Sequence, residues 1–587
     1  MTSMFDRRQL LRGSMMAGGG MATAAWLPAW AQTHSPGIPA PLPEVSGEDI
    51  RLRIAHQMIR IDGRESHAIG INGTVPGPLI RLREGQNVRL HVENTLDEDS
   101  SIHWHGLILP FHMDGVPGVS FPGIKPRSSF TYEFPIVQAG TYWYHSHSGL
   151  QEQMGHYGPI VIDPKDADPV RFDREHVVVL SDYSAMHPHR IFAKLKQQPG
   201  YFNRQKQTLS GLLKGEDLPQ KDRAEWGAMR MDPTDISDVT GSTYTYLTNG
   251  HGPQDNWTAL FQPGERVRLR FVNASAMTIF NVRIPGLKLT IVQSDGLNVR
   301  PVEVDEFQIT VAETYDVIVT PEDRAYTLVS EAVDRSGMAR ATLAPRAGMN
   351  AEVPPLRKRP VANMKDMGMG DMDHGSGGMD GMDHSAMPGM NHDAPAAGEG
   401  HSGMKMRDPA NAPQVKMGPG VQTISPMPVD RTGEPGQGLE DAGHKVLTYR
   451  DLVALDRNPD VRAPGRELEI HLTGNMERFM WAFDGEKFSE VKAPLPFEKG
   501  ERVRVTLVND TMMAHPIHLH GHFFELVTGH GDHSPRKHTV NVLPGGKVSW
   551  DFTAEPGDWA FHCHLLYHMH AGMMQVVQVR PLGGDAA

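Results

Sequence analysis

Three stretches of the chain share one rhythm. "REGQNVRLHVENT" begins at Arg83, "PGERVRLRFVNAS" at Pro263 and "KGERVRVTLVND" at Lys499. In each, Gly and then Glu or Gln lead into Val or Leu alternating with polar residues. Each run closes on Asn: Asn94, Asn273 or Asn509. Alternation with a period of two predicts a half-buried strand. A turn signal precedes each copy: Asn72-Gly73, Asn249-Gly250 and Asp484-Gly485. Three copies of a strand-rich unit with dense turn signals predict an all-β protein of three sandwich or barrel domains. A length of 587 residues suits that number.

The first and third copies share more than the rhythm. Nine residues after Asn94 stands "HWHG", at His103, and nine after Asn509 stands "HLHG", at His518. "HSH" begins at His145 and "HCH" at His562, each five residues after a Gly. The second copy has Val282 at the matching place, so its domain reads as a spacer. On a strand, residues i and i+2 face the same way. Four His-x-His pairs therefore offer eight imidazoles that two facing domains could gather in one pocket. Neutral imidazole suits copper, zinc, iron and nickel.

Cys563, the single cysteine, sits between His562 and His564. Its sulfur must point away from their pocket. His515, His568 and Met573 are near it in sequence, and two His, a thiolate and a Met are the ligand set of a blue-copper electron-transfer site. Zinc has no redox role and would not explain the pairing.

These residues resemble the multicopper oxidases. "HWHG", "HSH", "HPIHLHGH" and "HCHLLYHMHAGM" match the family's four copper motifs, and the likeness runs from about Glu44 to Leu582 apart from one insertion. Within the family, Arg7-Arg8 near the N-terminus, the stretch "HMDGVPGVSFPGIKP" from His112 and a Met-rich insertion make the chain look like the CopA-type periplasmic copper-resistance oxidases. The resemblance implies three cupredoxin-like Greek-key barrels or sandwiches, and four copper ions. It implies that His515, Cys563, His568 and axial Met573 hold a type 1 copper, and that His103 and His518 hold a type 2 copper. It gives one type 3 copper to His105, His145 and His564, and the other to His147, His520 and His562. It implies one-electron oxidation at the outer copper and reduction of dioxygen to water at the cluster. Asp114, in "FHMDGVPG", falls where the family often places a catalytic acid that supplies protons; an ordinary Asp-Gly turn is the other reading. Met569 stands where relatives often carry a second acid, so the second proton donor is not visible.

The interval from Asn94 to Asn273 is 179 residues, but from Asn273 to Asn509 it is 236. The excess lies mostly between Ala347 and Gly443. From Met364 to Met406 there are ten Met and four His (His374, His384, His392, His401) among Gly and Asp. The tract lacks apolar periodicity, so it is expected to be disordered. Its thioethers are soft donors for Cu(I), which gives additional Cu(I) sites at Met364, Met367, Met369, Met372, Met379, Met382, Met387 and Met390. The alternative is a linker of biased composition. Met512 and Met513 read equally as the mouth of the type 1 site or as core. Met186, His187 and His189, in "SAMHPHR", read as a surface loop before a metal site.

The expected organisation is a signal peptide at 1–31, cupredoxin domains at 44–166, 172–346 and 444–583, and a flexible Met/His-rich insertion at 347–443. Arg7 and Arg8, a weak apolar stretch and the small residues Ala29 and Ala31 read as twin-arginine export of a folded protein to the periplasm. The formal charge is −13. Losing residues 1–31 removes three Arg and one Asp and leaves −15, which excludes nucleic acid as a partner and attracts cations. No stretch is long and apolar enough for a membrane span. The expected partners are dioxygen, Cu(I), phenolic substrates and a periplasmic copper carrier. The leading expectation is an oxidase that converts Cu(I) to Cu(II), with laccase-like activity on phenols. The rival is a periplasmic copper-sequestering protein that stores the metal on the Met/His tract.

Overall fold

The structure is a computed structural model that describes residues 37–369 and 406–581. The export signal, and the Met/His tract from 370 to 405, lie outside the described residues. The chain forms six sheets, two in each of three successive sandwiches: five and four strands, then six and five, then seven and five. The three cupredoxin-like units expected from the repeats are therefore present. Large side chains are fully buried in all three, Trp104, Tyr315 and Trp550 among them.

The three repeated segments are strands Asn87–Asn94, Val267–Asn273 and Arg502–Asn509. Each terminal Asn is buried and has the same task. Its side-chain amide donates to two or three carbonyls across the turn: Ile124 for Asn94, Ile309 for Asn273 and Val542 for Asn509, among others. Its oxygen accepts the N–H two residues on. This local bond ends the strand and ties the chain to the opposite sheet. In the first and third sandwiches the chain then crosses to the strand that carries the His-x-His pair. The upstream turns match as well. Asn72-Gly73, Asn249-Gly250 and Asp484-Gly485 have φ near +50° then near +80° at both positions, which is why Asn or Asp followed by Gly is required there.

The insertion between the second and third sandwiches is ordered at both ends. Residues 347–369 and 406–443 carry short 3₁₀ turns, and Met367, Met369, Ala412, Val415, Val421 and Ile424 are buried. Gly368 O accepts from Met427 N, and Met406 O accepts from Ile424 N. The flexibility expected over 347–443 therefore does not hold for residues 347–369 and 406–443, where scattered apolar residues without period still find a surface to cover. No helix among the described residues is long and apolar enough to cross a membrane.

Candidate metal centre

Two strand pairs build the inner site. His103–His105 lies antiparallel to Gly140–His145, with His103 opposite His145. His515–Leu519 lies antiparallel to Gly557–Cys563, with His518 opposite His562 and Ile517 opposite Cys563. The first and third sandwiches face each other, and the eight imidazoles of the four pairs converge. Ligand nitrogens lie within 4.8 Å of one another in the triples His103–His518–His520, His103–His105–His145 and His147–His520–His562. The His564 ring completes the pocket, 5.0 Å from both His105 and His145.

The orientation of these rings is set from behind. The Nδ1 of His103 bonds to Asp114 O at 2.7 Å, that of His518 to His538 O at 2.6 Å, and that of His562 to Cys563 O at 2.9 Å. His520 Nδ1 donates to the Asp114 carboxylate at 2.8 Å, and His145 Nδ1 to Glu152 at 2.7 Å. The Nε2 atoms of His103, His145, His147, His518 and His564 are buried and have no hydrogen-bond partner. Orphaned buried acceptors of this kind are costly, and five of them aimed into one pocket fit metal ions that complete them. Burial and neighbouring imidazoles hold His105, His145, His147, His518, His520 and His564 well below the usual imidazole pKa. Burial brings His562 to about 4. These seven shifts favour the neutral ring, the form a metal needs.

The outer site lies on the other face of the same strand. Cys563 Sγ is 3.6 Å from His515 Nδ1 and 3.9 Å from His568 Nδ1, and the two nitrogens are 3.2 Å apart. Met573 is fully buried, and its carbonyl accepts the Cys563 N–H. The remote nitrogens are occupied: His515 Nε2 pairs with Thr511 Oγ1 at 2.8 Å, and His568 Nε2 with Asp238 at 2.6 Å. Trp481 stacks on His568 at 3.8 Å. Burial pushes the Cys563 thiol well above its ordinary pKa, so a thiolate here needs a cation beside it. Two imidazoles and one sulfur around one point, with Met573 tied to Cys563 through its backbone, make a donor set that suits copper.

The eight imidazoles of the His-x-His pairs thus meet in one pocket, and His515, Cys563 and His568 meet in a second, while Met372, Met379, Met382, Met387 and Met390 lie outside the described residues. Asp114 stands in a turn and also at the edge of the pocket. It ends a 3₁₀ turn, Phe111–Met113, and its carboxylate is buried against His520, with the other oxygen 3.3 Å from His103 Nδ1. Met512 and Met513 are buried core residues. His187 and His189 are exposed at the start of a helix, Pro188–Gln197, and belong to neither group of buried ligand candidates.

Four residues escaped the sequence reading. Glu152, seven residues after His145, orients that ring. Asp238 and Asp295 come from the second sandwich, which reads as a spacer. Asp295 accepts the backbone N–H of His538 and of Thr539, and it is 3.1 Å from the buried Lys537 ammonium. Burial works against that charge, but Asp295 and Glu313 outweigh it and raise the Lys537 pKa. His538 itself, outside any His-x-His pair, lies 3.2 Å from His105 Nε2. Only the spacing of His538 within "RKHTV" could have been noticed, and it has no local signature.

Fold and site together define a copper-binding oxidase, and comparison with known proteins agrees. Multicopper oxidase family models match residues 53–167, 214–350 and 462–583. A copper resistance protein A homolog of Pseudomonas syringae pv. tomato is 50% identical, over 98% of this chain and 99% of that protein. Copper resistance protein A of Escherichia coli is 48% identical, over 98% and 99%. In fold, the chain is similar to Fet3p, a multicopper oxidase that functions in iron import (TM-score 0.61, 19% identity, 92% and 91% coverage). It is similar also to a laccase from Botrytis aclada (TM-score 0.61, 20% identity, 94% and 90% coverage). The chain belongs to the multicopper oxidase family.

Proposed function

We propose that this oxidase acts on Cu(I), oxidises it at the Cys563 site, and thereby confers copper resistance. His515, Cys563, His568 and Met573 would hold the type 1 copper. His103 and His518 would hold the type 2 copper, His105, His145 and His564 one type 3 copper, and His147, His520 and His562 the other. Bound copper supplies one-electron oxidation at the outer site and four-electron reduction of dioxygen to water at the inner one.

The chain's own residues do the rest. The backbone from His562 through Cys563 to His564 is the covalent link between the two sites. Asp114 holds His520 and His103 and stands ready to pass a proton to the pocket. The second sandwich fixes His568 through Asp238. Burial raises the Asp238 carboxyl to about 8 while His568 stays low, so the pair shares a single proton.

The observation that favours Cu(I) over other reductants is a methionine cluster. Met364, Met367, Met369, Met406, Met476 and Met512 pack together, and Met512 is three residues from His515. Thioethers select Cu(I). Four of these six methionines come from the flanks of the insertion, whose central Met lie outside the described residues. The near-full-length likeness to copper resistance proteins supports the same substrate, and with the twin-arginine signal it supports export to the periplasm.

The test is dioxygen uptake by the copper-loaded protein on addition of Cu(I), with His103→Ala as the control. Uptake in the parent and none in the variant is expected. No uptake with Cu(I), but brisk uptake with a phenol, would replace this substrate assignment with a laccase.

A further inference from the structure

Two residues stand in matching places behind the inner pocket. Asp114 follows the His-x-His strand of the first sandwich, and its carbonyl accepts from His103 Nδ1 at 2.7 Å. Its carboxylate reaches across to the third sandwich and accepts from His520 Nδ1 at 2.8 Å. His538 follows the His-x-His strand of the third sandwich, and its carbonyl accepts from His518 Nδ1 at 2.6 Å. Its ring reaches back to the first sandwich, where His538 Nδ1 lies 3.2 Å from His105 Nε2. Each residue thus holds the first histidine of its own pair by its carbonyl and the second histidine of the facing pair by its side chain. Asp114 and His538 are counterparts across the interface.

They differ in the nitrogen they hold. Asp114 takes His520 at Nδ1, whereas His538 takes His105 at Nε2. The nitrogen of His105 left over is Nδ1, buried and without a hydrogen-bond partner among the described residues. A metal on Nδ1 needs that nitrogen bare, so the proton of the neutral His105 ring sits on Nε2. The facing atom, His538 Nδ1, then accepts it, and the His538 proton sits on its own Nε2. That nitrogen is buried and also lacks a partner among the described residues. Satisfying its own hydrogen bonds is therefore not what fixes the His538 ring in place.

The surroundings fix it instead. A Cβ at Gly106, the glycine of "HWHG", would lie 2.6 Å from His538 Cδ2 and 2.7 Å from its Nε2, so the ring needs glycine there. Phe523 stands against the ring with centroids 5.6 Å apart, and Asp295 accepts the His538 backbone N–H at 3.1 Å. Thr539 Oγ1 lies 3.1 Å from His538 Nδ1 and 3.3 Å from His105 Nε2, a weaker second acceptor for the same proton.

We propose that His538 is a positioning residue of the oxygen-reducing centre: it accepts the His105 Nε2 proton and thereby turns Nδ1 of His105, rather than Nε2, toward a type 3 copper. The proposal rests on the copper assignment of His105 made above. Partners of this kind, one shell behind a metal ligand, set its tautomer and its hold on the metal.

The experiment compares His538→Asn, His538→Gln and His538→Leu in the full chain, loaded with copper and dialysed against a chelator. Asn places an amide oxygen where histidine has Nδ1, Gln places it nearer Nε2, and Leu fills space without accepting. His538→Asn should keep copper close to the parent. His538→Gln and His538→Leu should hold inner copper ~10–100-fold more weakly, with blue absorption unchanged because the Cys563 site is untouched. Unfolding midpoints of the metal-free variants separate loss of copper from loss of fold, and the two polar variants decide the question even where Leu disturbs packing. A role in filling space gives the reverse order, since Asn is the smallest of the three. Losses that follow side-chain size, equal losses in all three variants, or no loss in any, overturn the proposal. His105→Ala checks the assignment beneath it and should lose inner copper. Parent-like copper content in His105→Ala would overturn that assignment, and the role of His538 with it, whereas copper loss in His105→Ala with none in His538→Leu and His538→Gln overturns the role of His538 alone.

Discussion

Most imidazoles of the inner pocket keep Nδ1 on a fixed acceptor and turn Nε2 inward, whereas His515 and His568 turn Nδ1 toward the sulfur and anchor Nε2. Each choice follows from which acceptor stands behind the ring, a detail that fixes tautomer and basicity. Glu152 shows the effect of one such acceptor. Glu152→Ala should weaken copper retention at the inner site by ~10–100-fold. Glu152→Gln should retain most of it, since its amide oxygen still accepts from His145 Nδ1. Copper per chain after dialysis against a chelator, with blue absorption as internal control, measures both. Cys563 has no substitute. Cys563→Ser should abolish the intense blue band of the copper-loaded protein, because that band needs thiolate sulfur. A blue serine variant would refute the ligand assignment.

Elements with a local period were legible in the sequence, and elements held by distant partners were not. The repeated strands and both histidine pairs on each facing sandwich follow from alternation, which requires only neighbours i and i+2. The outer site was legible for the same reason: Cys563 must face away from His562 and His564. Glu152, Asp238, Asp295 and His538 carry no such period. They reach the site through turns and other sandwiches, so nothing adjacent in sequence marks them. The insertion shows the opposite limit. Its composition hides that its ends are packed, because Met367 and Met369 are buried by contacts with Met512 and Ala514 from another strand region. The packed ends also define a clean deletion. Gly368 and Met406 bond to Met427 and Ile424, three residues apart, so a short Gly-Ser linker can replace residues 370–405. That deletion should leave the unfolding midpoint unchanged and lower the Cu(I) rate more than the phenol rate, because it removes thioethers that concentrate only Cu(I). Parallel oxygen-uptake assays with the two substrates decide it; equal losses would mark the tract as structural.

Across the whole molecule, the second sandwich has no ligand of its own yet braces both sites. Asp295 grips the backbone of His538 and Thr539, and the His538 carbonyl orients His518. Asp295→Ala would strip a buried partner from Lys537, a loss on the order of 3–5 kcal/mol. The expected results are a lower unfolding midpoint of the metal-free protein and an altered type 2 copper resonance, with unchanged blue absorption. The buried imidazoles also set how the metal-free protein responds to pH. Ten of them (the inner eight except His103, with His515, His538 and His568) have pKa values held below the ordinary one by burial first. In the unfolded chain the same rings titrate near pH 6.5. Below that pH the unfolded state binds more protons than the folded one, so stability is full above about pH 6.5 and falls as the medium is acidified. Burial also raises carboxyls, Asp238 to about 8, Asp334 and Asp484 to about 6, and Glu152 and Asp235 well above the ordinary value, and these groups act in the opposite direction, favouring the folded state as pH falls. They reduce the slope, and the more numerous lowered imidazoles set its sign. The metal-free protein should therefore lose thermal stability steadily between about pH 7 and pH 5. Copper should raise the midpoint throughout but by less at the acid end, since protons compete for the same nitrogens. Calorimetric melts of both forms across that range test this. A metal-free midpoint that is flat or rises toward pH 5 would mean that the rings are protonated within the folded pocket.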